Sequence, residues 1–171
     1  MSDLSLIAQD ELWMIHALTL ADKAEGMGEV PVGAVIVLDN QIIGEGYNRS
    51  IIDNDPCGHA EIMAIQSAAQ NIDNYRILDA TIYVTLEPCA MCAGAIVHAR
   101  IKRAVFGASD HKTGCAGSIL NLLQHDKLNH QVEVLRGVKA EECSSKISAF
   151  FKGRRAQIKA LKQANKAAQE E

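Results

Sequence analysis

The sequence predicts an α/β protein in which a five-stranded mixed sheet lies between two layers of helices, a three-layer αβα arrangement. Three observations carry this. The chain has 171 residues, 48% hydrophobic and 22% charged, enough for one core and too apolar for disorder. After an initial hairpin, short β-rich runs alternate with helical patterns, the signature of βαβ units. The last two β-rich runs are more than twenty residues apart, long enough for the crossover that parallel pairing needs.

The first predicted element is a helix over residues 10–25, with Leu12, Ile15, Leu18 and Leu20 at helical spacing. Asp10 is its expected cap, and Gly26 and Gly28 end it. "VPVGAVIVLDNQIIGEGYN" predicts a β-hairpin turning at Asp39-Asn40. A polar loop over 49–58 follows, then a helix in "AEIMAIQSAAQ". "ATIYVTLEP" predicts a strand stopped by proline, and "CAMCAGAIVHAR" a small-residue, buried helix. "RAVFGA" is the next strand, "SILNLLQH" a short helix, and "QVEVLRG" the last strand. From Ala140 a helical pattern runs to the end. Neither a repeat nor a linker interrupts this order, so one domain over 1–171 is expected, with a basic C-terminal helix at about 140–168.

Several function classes drop out. The longest apolar run is roughly "VPVGAVIVL", too short to cross a bilayer. The start lacks a basic-then-apolar leader, so a cytoplasmic protein without membrane contact is expected. The cysteine count is five, Cys57, Cys89, Cys92, Cys115 and Cys143, and an odd count argues against a disulfide framework. Charge is unevenly spread. The net value is −4, yet residues 152–171 hold six Lys and Arg against Glu170 and Glu171, leaving −8 on the rest. A basic end on an acidic body suits a local contact with an anion, although a solvated amphipathic helix has the same composition.

The chemistry-bearing residues fall into two helix starts. Cys89 and Cys92 stand three apart after Pro88, so one turn of helix places both sulfurs on one face. A helix N-terminus favours their thiolate forms. In an α/β protein such N-termini gather at the carboxyl ends of the strands, where the helix starting near His59 also points. One imidazole and two thiolates make a soft donor set that suits Zn²⁺ and leaves a fourth position for water. Glu61 is then a neighbouring carboxylate able to move protons.

"HAE" followed by "PCAMC" is the signature His-x-Glu…Pro-Cys-x-x-Cys, and the chain resembles the zinc-dependent cytidine and deoxycytidylate deaminase superfamily. Within it, "EVPVGAVIV", "GEGYN", "HAEIMAI", "YVTLEPCAMCAGAIVHARI", "VFGASDHKTG" and "FFKGRR" are similar to the bacterial tRNA-specific adenosine deaminase family over nearly the whole length. The resemblance implies a cytidine-deaminase-like fold, one Zn²⁺ per chain on His59, Cys89 and Cys92, and Glu61 as the catalytic acid–base. It implies conversion of adenosine to inosine at the wobble position of a tRNA anticodon, an arginine tRNA. It places Asn48, His59, Ala60 and Asp110 on the substrate, with Asp110 at a ribose. Lys112, Phe151, Lys152, Arg154 and Arg155 would meet the anticodon stem-loop, and two copies would form a homodimer. Ser109 stands where some relatives carry arginine.

Two other readings of the same residues stay open. Cys57, two residues before His59, could close the metal as a fourth ligand, leaving a non-catalytic zinc-stabilised RNA-binding module. Alternatively, the same core could deaminate a free base or nucleoside of the cytosine or guanine type. Cys115 and Cys143 are expected to be small core or surface thiols, and Trp13 to pack in the first helix.

Overall fold

A computed structural model describes residues 3–169. In chain order the elements are α1 (Asp3–Gly26), β1 (Gly33–Leu38), β2 (Gln41–Tyr47), α2 (Ala60–Asn71), β3 (Thr81–Leu86), α3 (Ala90–His98), β4 (Arg103–Ala108), β5 (Glu133–Arg136) and α4 (Ala140–Gln169). The five strands form one sheet in the order β2-β1-β3-β4-β5. β1 is antiparallel to both neighbours, whereas β3, β4 and β5 run parallel. The mixed sheet is as expected. No described helix is long and apolar enough to cross a membrane.

The period of two along each strand divides the interior between two layers. Ala34, Ile36, Ile82, Val84, Ala104 and Phe106 face α2 and α3. Val35, Val37, Tyr83 and Val105 face Met14 and Ala17 of α1 and Cys143 of α4. The hairpin turns where predicted, because Asp39 and Asn40 both take positive φ, at 48° and 60°. Those values define the tight turn whose twist matches the strands.

Three expectations are corrected. Asp10 lies inside α1 rather than at its start. Its buried carboxylate receives Arg103 Nη1 and Nη2 at 2.7 and 2.8 Å and the Tyr83 hydroxyl at 2.9 Å. It therefore ties α1 to the sheet. The buried stripe of α1 is Met14, Ala17, Ala21 and Ala24, while Leu12 is 66% exposed and Ile15 is exposed too. Small residues win because α1 lies close on β1. A Cβ on Gly33 would stand 2.1 Å from the Ala17 carbonyl oxygen. Finally, "SILNLLQH" is not a helix but a chain of turns. Its own backbone is held by the segment before it: Asn121 bridges to Ala116, and the Leu122 amide donates to the Cys115 carbonyl. Only Leu123 of that run is fully buried.

Two glycines set the height of α2 above β2. A Cβ on Gly46 would lie 2.1 Å from the Ala60 carbonyl oxygen, and one on Gly44 2.5 Å from that of Ala64. The helix thus rests on bare strand backbone. Gly46→Ala is expected to lower the unfolding free energy by about 1–3 kcal/mol through overpacking. Gly94→Ala in α3, where the added methyl meets open space, should instead gain about 1 kcal/mol from helix propensity. Urea denaturation of both variants reads the contrast.

Candidate active site

Two helices begin with metal-type ligands. His59 is the N-cap of α2 and Cys89 the N-cap of α3, both with extended backbone, at ψ 151° and 176°. A cap residue normally spends its side chain on its own helix's amides. Neither of these does, so both side chains are turned toward each other instead. Pro88 holds the preceding Glu87 to extended backbone, which keeps the helix from starting earlier. Cys92 follows one turn into α3 and is buried.

His59 Nδ1 lies 3.7 Å from Cys89 Sγ and 3.5 Å from Cys92 Sγ. The donor atoms of the three residues all fall within 4.8 Å of one another. A tetrahedral zinc with ordinary Zn–N and Zn–S bonds separates its nitrogen and sulfur ligands by about 3.6 Å. The spacing and the soft donors therefore fit Zn²⁺. Cys57 is exposed and outside this cluster, so the closed four-ligand site is not assembled among the described residues. The protons tell the same story. The hydrogen bond from the Cys92 thiol pulls Cys89 down to about 4, against the effect of burial. Cys92 is pushed well up because it retains that proton. A divalent cation replaces such a shared proton and holds both sulfurs as thiolates.

Glu61 sits in the first turn of α2 and is buried. Burial pushes its carboxyl up to about 7. A group with that value can both take and give a proton near neutral pH. Beside it is a cavity of about 170 Å³ lined by Asn48, His59, Glu61, Cys89, Asp110 and Thr113. It opens where β3 and β4 end, the edge at which α/β proteins build sites. Larger hollows lie along α1, at the opposite edge of the sheet and along α4, and hold none of these residues.

Asn48 is buried just after β2, and its Oδ1 accepts the Ala60 amide at 2.9 Å. That bond fixes the orientation of the side-chain amide and caps α2. The Ala60 amide is thereby engaged, so what this corner offers a ligand is the Nδ2 donors of Asn48. Asp110 begins a loop over 109–118. Its Oδ1 accepts the Lys112 and Thr113 amides at 2.9 and 3.2 Å, and its Oδ2 accepts the Thr113 hydroxyl at 2.6 Å. Lys112 is exposed on the same loop. The basic residues of α4 are not in the cavity. Cys143 packs α4 against the sheet, Phe150 is half-buried, Phe151 is 43% exposed, and Lys152, Arg154 and Arg155 are exposed.

The sequence reading passed over two buried carboxylates that shape the rim. Glu29 Oε1 accepts the Ile51 and Ile52 amides, each at 2.8 Å, and folds the loop over 49–58. Glu87 does the same for the loop over 109–118. Burial alone would push Glu87 up, but the Ser118 hydroxyl and the amides of Asp110, Ser118 and Ala116 hold it below the ordinary carboxylate range. A glutamate directly before Pro-Cys, at a strand exit with no helix to cap, was the available signal.

A soft three-residue donor cluster with a buried carboxyl beside it, at the edge of a sheet between two helix layers, is the arrangement of a nucleobase deaminase. The chain matches the MafB19-like deaminase family over residues 8–155. It is 60% identical over 151 residues to the tRNA-specific adenosine deaminase of Haemophilus influenzae, covering 88% of this chain and 87% of that one. The corresponding protein of Bacillus subtilis is 47% identical, with 91% of this chain and 97% of that one covered. A solved structure from studies of A-to-I editing by tRNA:A34 deaminases at the wobble position of transfer RNA superposes with a TM-score of 0.76. It is 40% identical and spans 78% of this chain and 97% of that one. The chain belongs to the tRNA-specific adenosine deaminase family and is an enzyme.

Metal content checks the ligand assignment. The purified protein is expected to carry about one Zn²⁺ per chain, as a single three-ligand site implies. Cys89→Ala should lose that metal and much stability, because metal-binding energy is also folding energy. Cys57→Ser should keep both; loss of zinc in that variant would restore the four-ligand site.

Proposed function

We propose that this enzyme hydrolytically deaminates adenosine to inosine at the wobble position of a tRNA anticodon, with an arginine tRNA as the substrate. One observation carries the chemistry: a buried carboxyl beside an imidazole and two cysteine sulfurs spaced for zinc. The substrate class rests on the family and on the A34 deaminase structure that superposes on this one. An anticodon base is already partly unstacked, so placing it in a small cavity costs less than extruding it from a duplex.

When bound at His59, Cys89 and Cys92, zinc supplies Lewis acidity that brings the pKa of a coordinated water toward neutrality. The remaining work falls to the chain's own groups. Glu61 takes a proton from the attacking water as its oxygen bonds to C6, and delivers a proton to N1 of the ring. Glu61 then takes the remaining proton from the new C6 hydroxyl and passes it to the exocyclic amine, which leaves as ammonia as the C6–N bond breaks and the C6 carbonyl forms. Asn48 donates from Nδ2 to an acceptor on the base and holds it in plane. Asp110, fixed by its own loop, accepts from a ribose 2′-hydroxyl, the group that separates RNA from DNA.

Glu61→Ala is expected to keep zinc and fold but to lose deamination by at least about 10²–10⁴, the usual worth of general acid–base work. The assay is inosine formation in an anticodon stem-loop, read by sequencing or mass spectrometry. Substantial turnover by this variant would assign proton movement to another group. Turnover of a free nucleoside with no turnover of the stem-loop would favour the small-molecule reading.

Lys152, Arg154 and Arg155 are read as stem phosphate contacts and Phe151 as a stacking or packing ring. The support is their exposure together on α4. Replacing Arg154 and Arg155 with alanine should weaken stem-loop binding and flatten its log–log salt dependence by about 0.7–0.9 per lost contact. Zinc content should not change. Identical slopes would make this stretch only a solvated helix face. A homodimer belongs to the same reading and is checked by sedimentation.

A further inference from the structure

We propose that Glu87 is a positioning residue, which holds the cavity wall formed by residues 109–118 in register with the turn that presents Cys89. The proposal rests on the deaminase reading of the cavity.

Glu87 is only 3% exposed, and among the described residues no ion pair reaches it. A carboxylate buried without a cation is costly unless polar hydrogens surround it. All of its donors come from one loop. Oε1 accepts the Ala116 and Ser118 amides at 3.1 and 3.0 Å. Oε2 accepts the Asp110 amide at 3.0 Å and the Ser118 hydroxyl. The loop lies directly on the carboxyl: a Cβ on Gly114 would stand 2.4 Å from Glu87 Cδ.

The backbone of the same segment completes the clamp. The Glu87 amide donates to the Ala108 carbonyl at 2.8 Å, and the Cys115 amide donates to the Pro88 carbonyl at 2.8 Å. Cys89 itself bridges to Gly114. Residues 87–89 therefore lead into a metal ligand on one side and grip the substrate wall on the other. Asp110 and Thr113 stand in the cavity with Cys89. The spacing between the ligand turn and the ribose-side wall is consequently held by these backbone bonds together with the Glu87 carboxylate, and at Asp110 by the carboxylate. Charge matters as well as shape, because four donors converge on it and none repels it.

Glu87→Gln separates this role from simple fold support. Glutamine keeps a carbonyl for the Ala116 and Ser118 amides but sets an NH₂ group against the Asp110 amide. The loop is then released at Asp110 while the volume stays filled. In the zinc-loaded enzyme the expected result is unchanged metal content, kcat within about threefold of wild type, and KM for the anticodon stem-loop raised about tenfold, as for one lost charged hydrogen bond. Because Glu87 acts through Asp110, Glu87→Gln combined with Asp110→Ala should be no worse than Asp110→Ala alone, within about twofold. An unchanged KM, a loss of zinc, or losses that multiply in the double variant would each overturn the proposal.

Amide hydrogen exchange supplies a readout that needs no turnover. The Asp110 amide should exchange about tenfold faster in Glu87→Gln, matching the lost hydrogen bond, while core amides such as Ile82 keep their protection. Equal protection of Asp110 in both proteins overturns the inference even if the wild type deaminates no stem-loop, an outcome that would sink the deaminase reading separately.

Discussion

Two helix N-termini have to meet at one point for this site to exist, and most of the structure serves that meeting. His59 and Cys89 each occupy the position that normally caps a helix, and each gives its side chain to the shared centre instead. The amides they leave unserved must find partners elsewhere. Asn48 takes one, from Ala60, and so becomes both a structural cap and a lining residue. The glycines of β2 let α2 descend far enough for His59 to reach the sulfurs. Concentrated positive helix ends would repel a bare cation. Thiolates at the same place supply the opposing charge, which is why sulfur ligands suit this edge of the sheet.

Four buried carboxylates surround or support this arrangement, and their different solvation explains their different roles. Asp10 is matched by the Arg103 guanidinium and fastens α1. Glu29 and Glu87 are matched by backbone amides and fasten the two loops on the rim. In Glu61 burial outweighs the hydrogen bonds from its own amide and from Cys92, and its carboxyl is pushed up to about 7. The three carboxylates ringed by donors fasten structure. The one left poorly solvated is the group proposed to carry protons. A catalytic acid–base is thus distinguished from its neighbours by what the fold withholds from it.

The charge distribution has a physical counterpart in α4. Its first turns pack on the sheet through Cys143 and Ile147, and beyond Phe150 its described side chains are exposed. Lys152, Arg155, Lys159 and Lys162 recur at alternating three- and four-residue steps, which aligns them along one side of the helix. A cationic edge carried away from an acidic body is suited to an extended polyanion rather than to a small ligand enclosed in the cavity.

The shared face of Cys89 and Cys92 and most of the order of strands and helices were legible from the chain itself, because short-range spacing governs them. A Cys-x-x-Cys at a helix start presents both sulfurs whatever surrounds it, and period-two runs declare strands before any partner is known. The hairpin at Asp39-Asn40 was legible for the same local reason. Tertiary structure decided what depends on a neighbour distant in sequence. Asp10 looked like a cap because its partner Arg103 lies 93 residues away. Leu12 and Ile15 looked like core, yet the closeness of α1 to Gly33 favoured the alanine stripe. "SILNLLQH" has a helical composition, but that segment is folded back by bridges and by Glu87's hold on Ala116 and Ser118. Glu87 and Glu29 were silent in the sequence because a carboxylate's role is set by the donors that close around it, and only the folded loops bring those donors there.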